Sequence, residues 1–152
     1  MSRFEAEAMI GRAAEEVWAY AADVIRHPEW MTVADAQLLR GQGTEIGARG
    51  RERVLFGPFK WDVEFEVVDS VAGRRIVWRA DDRRFALYEV GLDLEPTGAT
   101  STRATYRGAV QMRGLWRLLA PLIAMEGPAG LRRELERLKS NLEAAPAPAA
   151  AT

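Results

Sequence analysis

Four side chains in this sequence have the chemistry to move a proton or hold a polar ligand group inside an apolar protein: Glu52, Tyr88, Tyr106 and His27. Glu52 stands in a stretch, 48–56, whose odd positions are Arg49, Arg51 and Arg53 and whose even positions are Gly50, Glu52 and Val54. Strand parity therefore puts Glu52 with the apolar set, opposite Val63. A carboxylate there is costly unless it is paired, solvated or protonated. Such an acid can hydrogen-bond a ligand or enolise a carbonyl. The alternatives are a bulge that turns it outward or a place near an open rim. Tyr88 and Tyr106 fall on the same inner face of adjacent strands. Buried phenols seek partners, here a ligand carbonyl, each other, water or backbone. His27 is the only histidine. It has the pKa of a general acid or base, yet no recognisable motif sets a serine beside it. The sequence reads it as a surface or capping residue in the turn made by Pro28, and gives no support to a Ser/Cys–His nucleophilic site.

The other chemistries are excluded more simply. One histidine and no cysteine cannot supply the usual nitrogen and sulfur ligands of zinc, so no metal is expected. Gly41-Gln42-Gly43-Thr44-Glu45-Ile46-Gly47 links two strands, opens no helix and lacks the GK[ST] ending, so it reads as a turn and not a phosphate loop. No nucleotide or flavin fingerprint is present, and no cofactor is expected. The net charge of −1 and pI near 5.9 give no global field for nucleic acid or anionic membrane. The N-terminus is polar and alternating, unlike a signal peptide. The longest apolar stretch, 115–125, contains Arg117 and is too short to span a bilayer. A cytoplasmic protein is expected.

Hydrophobic periodicity places these residues on elements. Phe4 to Ile10 alternates, a strand over 3–10. Ala14, Val17, Trp18, Ala21 and Ala22 recur with helical spacing, a helix over 13–23. A helical turn follows at 27–31, with Pro28 in its first turn. Strands follow at 36–40, 48–56, 60–69, 75–80, 84–95 and 102–112, and a helix at 115–143. Pro121 and Gly127-Pro128-Ala129-Gly130 should kink or break that helix. Its second half carries the stripe Leu131, Leu135, Leu138, Leu142. Its first half is apolar nearly all round, as in a helix that is buried or meets a partner or ligand. The Ala/Pro-rich tail, 144–152, reads as disordered.

Charge fixes two hairpin registers. Pairing positions that sum to 115 sets Arg53 against Asp62, Arg51 against Glu64 and Arg49 against Glu66, with Val54 beside Trp61 and Gly50 beside Phe65. Unlike charges directly opposed stabilise a strand pair. For the last hairpin, positions summing to 196 set Asp93 against Arg103 and Glu89 against Arg107, with Leu92, Val90 and Tyr88 facing Ala104, Tyr106 and Gly108. One face is then an ion-pair lattice, the other apolar and aromatic, and a one-residue slip destroys both. Small inner residues (Gly50, Ala86, Ala104, Gly108) leave volume for a cavity. Phe85, Leu87 and Val77 fall on the outer face as a candidate homodimer contact.

The order strand, helix with Glu15-Glu16-Val17-Trp18, Asp23, Pro28-x-Trp30, Gly47, Thr102-Arg103-Ala104-Thr105-Tyr106 and Leu138-Lys139-Ser140-Asn141-Leu142-Glu143 resembles the START-like (SRPBCC) superfamily, in its polyketide cyclase/dehydrase-like branch. The resemblance spans residues 3–143. It implies one α+β domain over 1–143 with a helix-grip fold: a curved antiparallel sheet of about seven strands around a long C-terminal helix, with two short helices after the first strand and a deep hydrophobic cavity. Members bind lipids, sterols, polyketides and other apolar molecules, and a minority catalyse. Two departures stand out: Ala13-Ala14 replaces a frequent proline, and Gly127–Gly130 interrupts a helix that is often continuous.

The leading expectation is a protein that binds a small hydrophobic or amphipathic, lipid- or polyketide-like molecule. The lining would be Glu52, Val54, Trp61, Phe65, Trp78, Tyr88 and Tyr106, with Met112, Leu119 and Ile123 toward the mouth. A second reading is a cyclase or dehydratase using Glu52, Tyr88 or Tyr106 for acid–base chemistry. A third is a protein-interaction module built on 115–125 and the outer apolar spot.

Overall fold

The computed structural model describes residues 1–146. Seven strands form one antiparallel sheet in the order β1-β7-β6-β5-β4-β3-β2. They are β1 (Ser2–Ile10), β2 (Val33–Arg40), β3 (Arg49–Phe56), β4 (Phe59–Val71), β5 (Arg75–Asp82), β6 (Ala86–Gly98) and β7 (Ser101–Met112). Between β1 and β2 lie α1 (Ala14–Ala21), a 3-10 turn (Val24–Arg26) and α2 (His27–Trp30); after β7 come a 3-10 helix (Gly114–Leu119) and α3 (Ala120–Ala144). This is the helix-grip architecture expected. No helix among the described residues is long and apolar enough to cross a membrane.

The β3–β4 register is the one charge dictates, from Arg49↔Glu66 to Phe56↔Phe59. Arg53 meets Asp62 at 3.0 Å and Arg51 meets Glu64 at 2.9 Å, while Arg49 reaches diagonally to Glu64. The β6–β7 register differs from expectation by two residues: Leu92 faces Tyr106, Asp93 faces Thr105 and Glu95 faces Arg103. The cause is the turn. β6 runs on to Gly98, Gly98 pairs with Ser101, and an irregularity after Pro96 shifts the ladder. A slip of two preserves parity, so the apolar face survives and only the partners change. Arg107 now sits between Asp93 and Glu5, bonding both. Phe85 is not an outer strand residue. Asp82 accepts the Arg84 N–H and its carbonyl accepts the Phe85 N–H, making 83–85 a turn.

The C-terminal helix is not broken at Gly127-Pro128; α3 is continuous with Pro128 inside it. The reason is packing. A Cβ on Gly127 would lie 2.6 Å from the Phe4 ring, and one on Gly108 across the same ring equally close. The two glycines let α3 approach β1 and β7 over Phe4, and that packing offsets the hydrogen bond Pro128 cannot make. Further on, Leu131, Leu135, Leu138 and Leu142 are buried as the stripe requires. Lys139 donates to the Met9 carbonyl (2.6 Å) and Gly11 N–H donates to Glu143 (3.1 Å), so the end of α3 is fastened to β1. The first helical turns are different: Leu115, Leu118 and Met125 are exposed, not buried. Ala144 is the last residue of α3, and from residue 147 the expected tail lies outside the described residues.

Candidate functional site

The inner face of the sheet and α3 enclose a cavity of about 550 Å³. Apolar side chains make most of its wall: Phe4 from β1, Val54 from β3, Val63 and Phe65 from β4, Trp78 from β5, Val90 from β6 and Ile123 from α3. Its polar side chains are Thr32, Glu52, Tyr88 and Tyr106, with Glu126, Arg133 and Glu134 from α3. A depression of similar size on the outer face is floored by ion-paired Asp69, Arg75, Asp93 and Arg107, whose charges already satisfy one another.

Glu52 points inward, as strand parity requires, and His27 is its partner. The His27 Nδ1–Glu52 Oε1 separation is 2.5 Å, with the His27 side chain 1% and the Glu52 side chain 13% exposed. Two lone pairs cannot approach so closely, so a proton lies between them. His27 is thus neither a surface residue nor a simple cap. Asp23 caps the 3-10 turn by accepting the Ile25 N–H. That turn feeds α2, which carries His27 and Trp30 inward on one side, three residues apart. His27 is boxed by the rings of Trp30, Phe65 and Trp78, and its Nε2 has no hydrogen-bond partner among the described residues. Only Glu52 of the pair lines the cavity. His27 stands behind it and holds the carboxylate in place.

Tyr106 donates to Glu134 Oε2 (2.8 Å), and the other oxygen of Glu134 accepts the Thr32 N–H (2.8 Å). Arg137 donates to the Thr32 hydroxyl (3.0 Å). This chain ties α3 to the α2–β2 connection beside the cavity. Glu134 was not anticipated, although a signal existed: it sits three residues after Leu131 and four before Leu138, on the buried face of the helix. Tyr88 lies half-buried, opposite Val110, and four residues along the ladder from the position opposite Tyr106, so the two phenols are not cross-strand neighbours. Of the residues expected at the cavity, Glu52, Val54, Phe65, Trp78, Tyr88, Tyr106 and Ile123 line it. Trp61, Met112 and Leu119 do not; Trp61 packs its ring on Phe85, which packs on Trp116. In the glycine-rich turn, the N–H groups of Gln42 and Thr44 are taken by the Glu45 carboxylate, which leaves no phosphate cradle.

Burial raises the Tyr106 hydroxyl well above the ordinary phenol value of 10.0, and the neighbouring Glu134 charge raises it further. Burial also raises Tyr88, with Asp82 adding to it, and Tyr20. An unfolded phenol loses its proton near pH 10 while folded Tyr106 keeps it, so above pH 10 the unfolded state binds fewer protons. Stability from this group is therefore intact below pH 10 and declines as the pH climbs toward the folded value. An ultraviolet titration is expected to show no tyrosine ionising at the ordinary phenol value, with Tyr106 last. A Tyr106→Phe variant should lose only the final step; loss of an early step would contradict the assignment.

The family model described as polyketide cyclase / dehydrase and lipid transport matches residues 1–143. None of the curated proteins compared with the chain matches it. Among solved structures, a START superfamily protein from Mycobacterium smegmatis superposes with a TM-score of 0.80 at 15% identity, covering 94% of this chain and 98% of that one. The Zhui aromatase/cyclase from Streptomyces sp. R1128 gives 0.73 at 14% identity, covering 95% and 98%. The di-domain aromatase/cyclase BexL of the BE-7585A biosynthetic pathway gives 0.69 at 18% identity, covering 94% of this chain and 47% of that one.

Proposed function

The chain belongs to the polyketide cyclase / dehydrase and lipid-transport family, and from that premise we propose that it binds one small apolar molecule with a polar end, lipid- or polyketide-like, in the cavity between the sheet and α3. The observation that carries this reading is the wall itself: largely apolar, with its hydrogen-bonding groups confined to a few side chains. Glu134 has both oxygens engaged, and the Tyr106 hydroxyl already donates its hydrogen bond to one of them. The second oxygen of Glu52 and the Tyr88 hydroxyl, with Glu126 and Arg133 on α3, are left to meet the ligand's polar group. Native mass spectrometry of the protein purified from its own host, with extraction of whatever it holds, tests the reading. A single co-purifying apolar molecule is expected. Release of the same molecule from a Glu52→Leu, Tyr88→Phe variant, unchanged in amount, would count against the roles given to these two residues.

One observation favours a second reading, in which the protein is a cyclase or dehydratase: the carboxylate that faces the cavity is hydrogen-bonded to a buried histidine. Here Glu52 removes a proton from the carbon beside a ligand carbonyl. The enolate carbon attacks a second carbonyl of the same chain, forming a carbon–carbon bond, and the alkoxide takes the proton back. Loss of that hydroxyl with a neighbouring proton releases water. The cavity's part is to fold the chain so that the reacting carbons meet. If the extracted molecule is a poly-carbonyl chain, Glu52→Gln should stop its turnover while binding persists; turnover at the wild-type rate would remove this reading.

A further inference from the structure

We propose that the exposed stripe Leu115, Leu118, Leu122 and Met125 seats the protein on an anionic lipid bilayer. These side chains are 84%, 80%, 39% and 68% exposed. Their spacing of three, four and three puts them on one side of the 3-10 helix and the start of α3. They are not loose ends of a core. The other side of the same segment is held, because Trp116 packs on Phe85 with ring centroids 5.0 Å apart and the Arg113 N–H donates to the Phe85 carbonyl. The stripe is therefore presented outward on a fixed support. Phe59, 62% exposed, extends the apolar surface from the β3–β4 hairpin, two residues before Trp61, whose ring packs on Phe85.

The charge around the stripe selects the occupant. Asp81 is paired with Arg113 and Asp82 with Arg84. Lys60, Arg83 and Arg117 make no ion pair among the described residues and all three are exposed, against one exposed, unpaired acid on the same segment, Glu126. The whole chain carries −1, so this cationic rim is local and does not follow from the overall charge. Leucine, methionine and phenylalanine beneath a rim of lysine and arginine match the apolar boundary and phosphate layer of a bilayer containing anionic lipid. The docking itself does not rest on the function proposed above. What that function adds is direction: Ile123 and Gly127 on the same helix line the cavity, so a docked protein would hold its apolar cavity beside the lipid.

The test is co-sedimentation of the full chain with phosphatidylcholine vesicles containing phosphatidylglycerol, and with vesicles of phosphatidylcholine alone. Binding to the anionic vesicles is expected, with about tenfold weaker binding to the neutral ones and at high salt. A Leu115→Asp, Leu118→Asp variant, altered only at exposed positions, should keep its thermal midpoint and lose at least about tenfold in vesicle binding. Absence of binding, or equal binding by that variant, would overturn the proposal. So would a concentration-dependent dimer in sedimentation velocity that the variant abolishes, which would assign the stripe to a second copy of the chain. No cavity ligand enters the readout, so an empty cavity leaves the result interpretable.

Discussion

Replacing His27 by alanine is expected to destabilise the protein by about 3–5 kcal/mol, the usual cost of removing one member of a buried, paired acid–base contact. Glu52 would be left in an apolar wall without its partner, and the rings of Trp30, Phe65 and Trp78 would border a void. The variant His27→Leu, Glu52→Leu removes both polar groups, and its loss should be much smaller than the two single losses added together. Chemical denaturation of wild type, His27→Leu, Glu52→Leu and the double variant measures the coupling. Single losses that add to the double within about 0.5 kcal/mol would show that the 2.5 Å contact carries no energy in solution.

The second large effect is at Trp30. It is fully buried, edge-on to His27 and 5.4 Å, centroid to centroid, from Tyr106. It is where α2, the inner face of the sheet and α3 meet. Trp30→Ala should cost about 3–5 kcal/mol by lost burial and an unfilled cavity. Leu118→Ala, at a position 80% exposed, should stay within about 0.5 kcal/mol of wild type. Midpoints from urea unfolding compare the two directly. Equal losses would mean that the burial around α2 does not hold in solution.

How far the sequence was readable depends on how local the determining interaction is. The β3–β4 register follows from three charge pairs and a parity rule, so each residue announces its own partner. The inward face of Glu52 follows from the same parity. The β6–β7 register could be read only to within two residues, because that slip exchanges one acceptable charge pairing for another and leaves every side chain on its own face. The sequence reads His27 as a surface or capping residue because no recognisable motif sets a partner beside it. Its partner lies 25 residues away on another strand, and only the folded sheet brings them together. Gly127 and Pro128 have poor helix propensity, yet α3 runs through them because Phe4, at the far end of the chain, needs the space that Gly127 leaves. Propensity weighs residues one at a time and cannot see that contact. Glu134 hides in a similar way, as a polar residue within an apolar stripe whose purpose depends on Tyr106 and Thr32.

The central claim is that the cavity between sheet and helix takes up an apolar molecule. The most direct measurement is a fluorescence titration with a neutral naphthyl ketone, 6-propionyl-2-dimethylaminonaphthalene, against the wild-type protein and an Ile123→Trp variant. Ile123 lines the cavity from α3 and is only partly buried, so the larger ring fills the space without invading the packed leucine stripe. The account predicts blue-shifted, saturable emission with one probe per wild-type chain, and at least about tenfold weaker binding to the variant at an unchanged thermal midpoint. Saturable binding of the same strength to both proteins would place the probe elsewhere on the surface and contradict the claim, as would no binding to either.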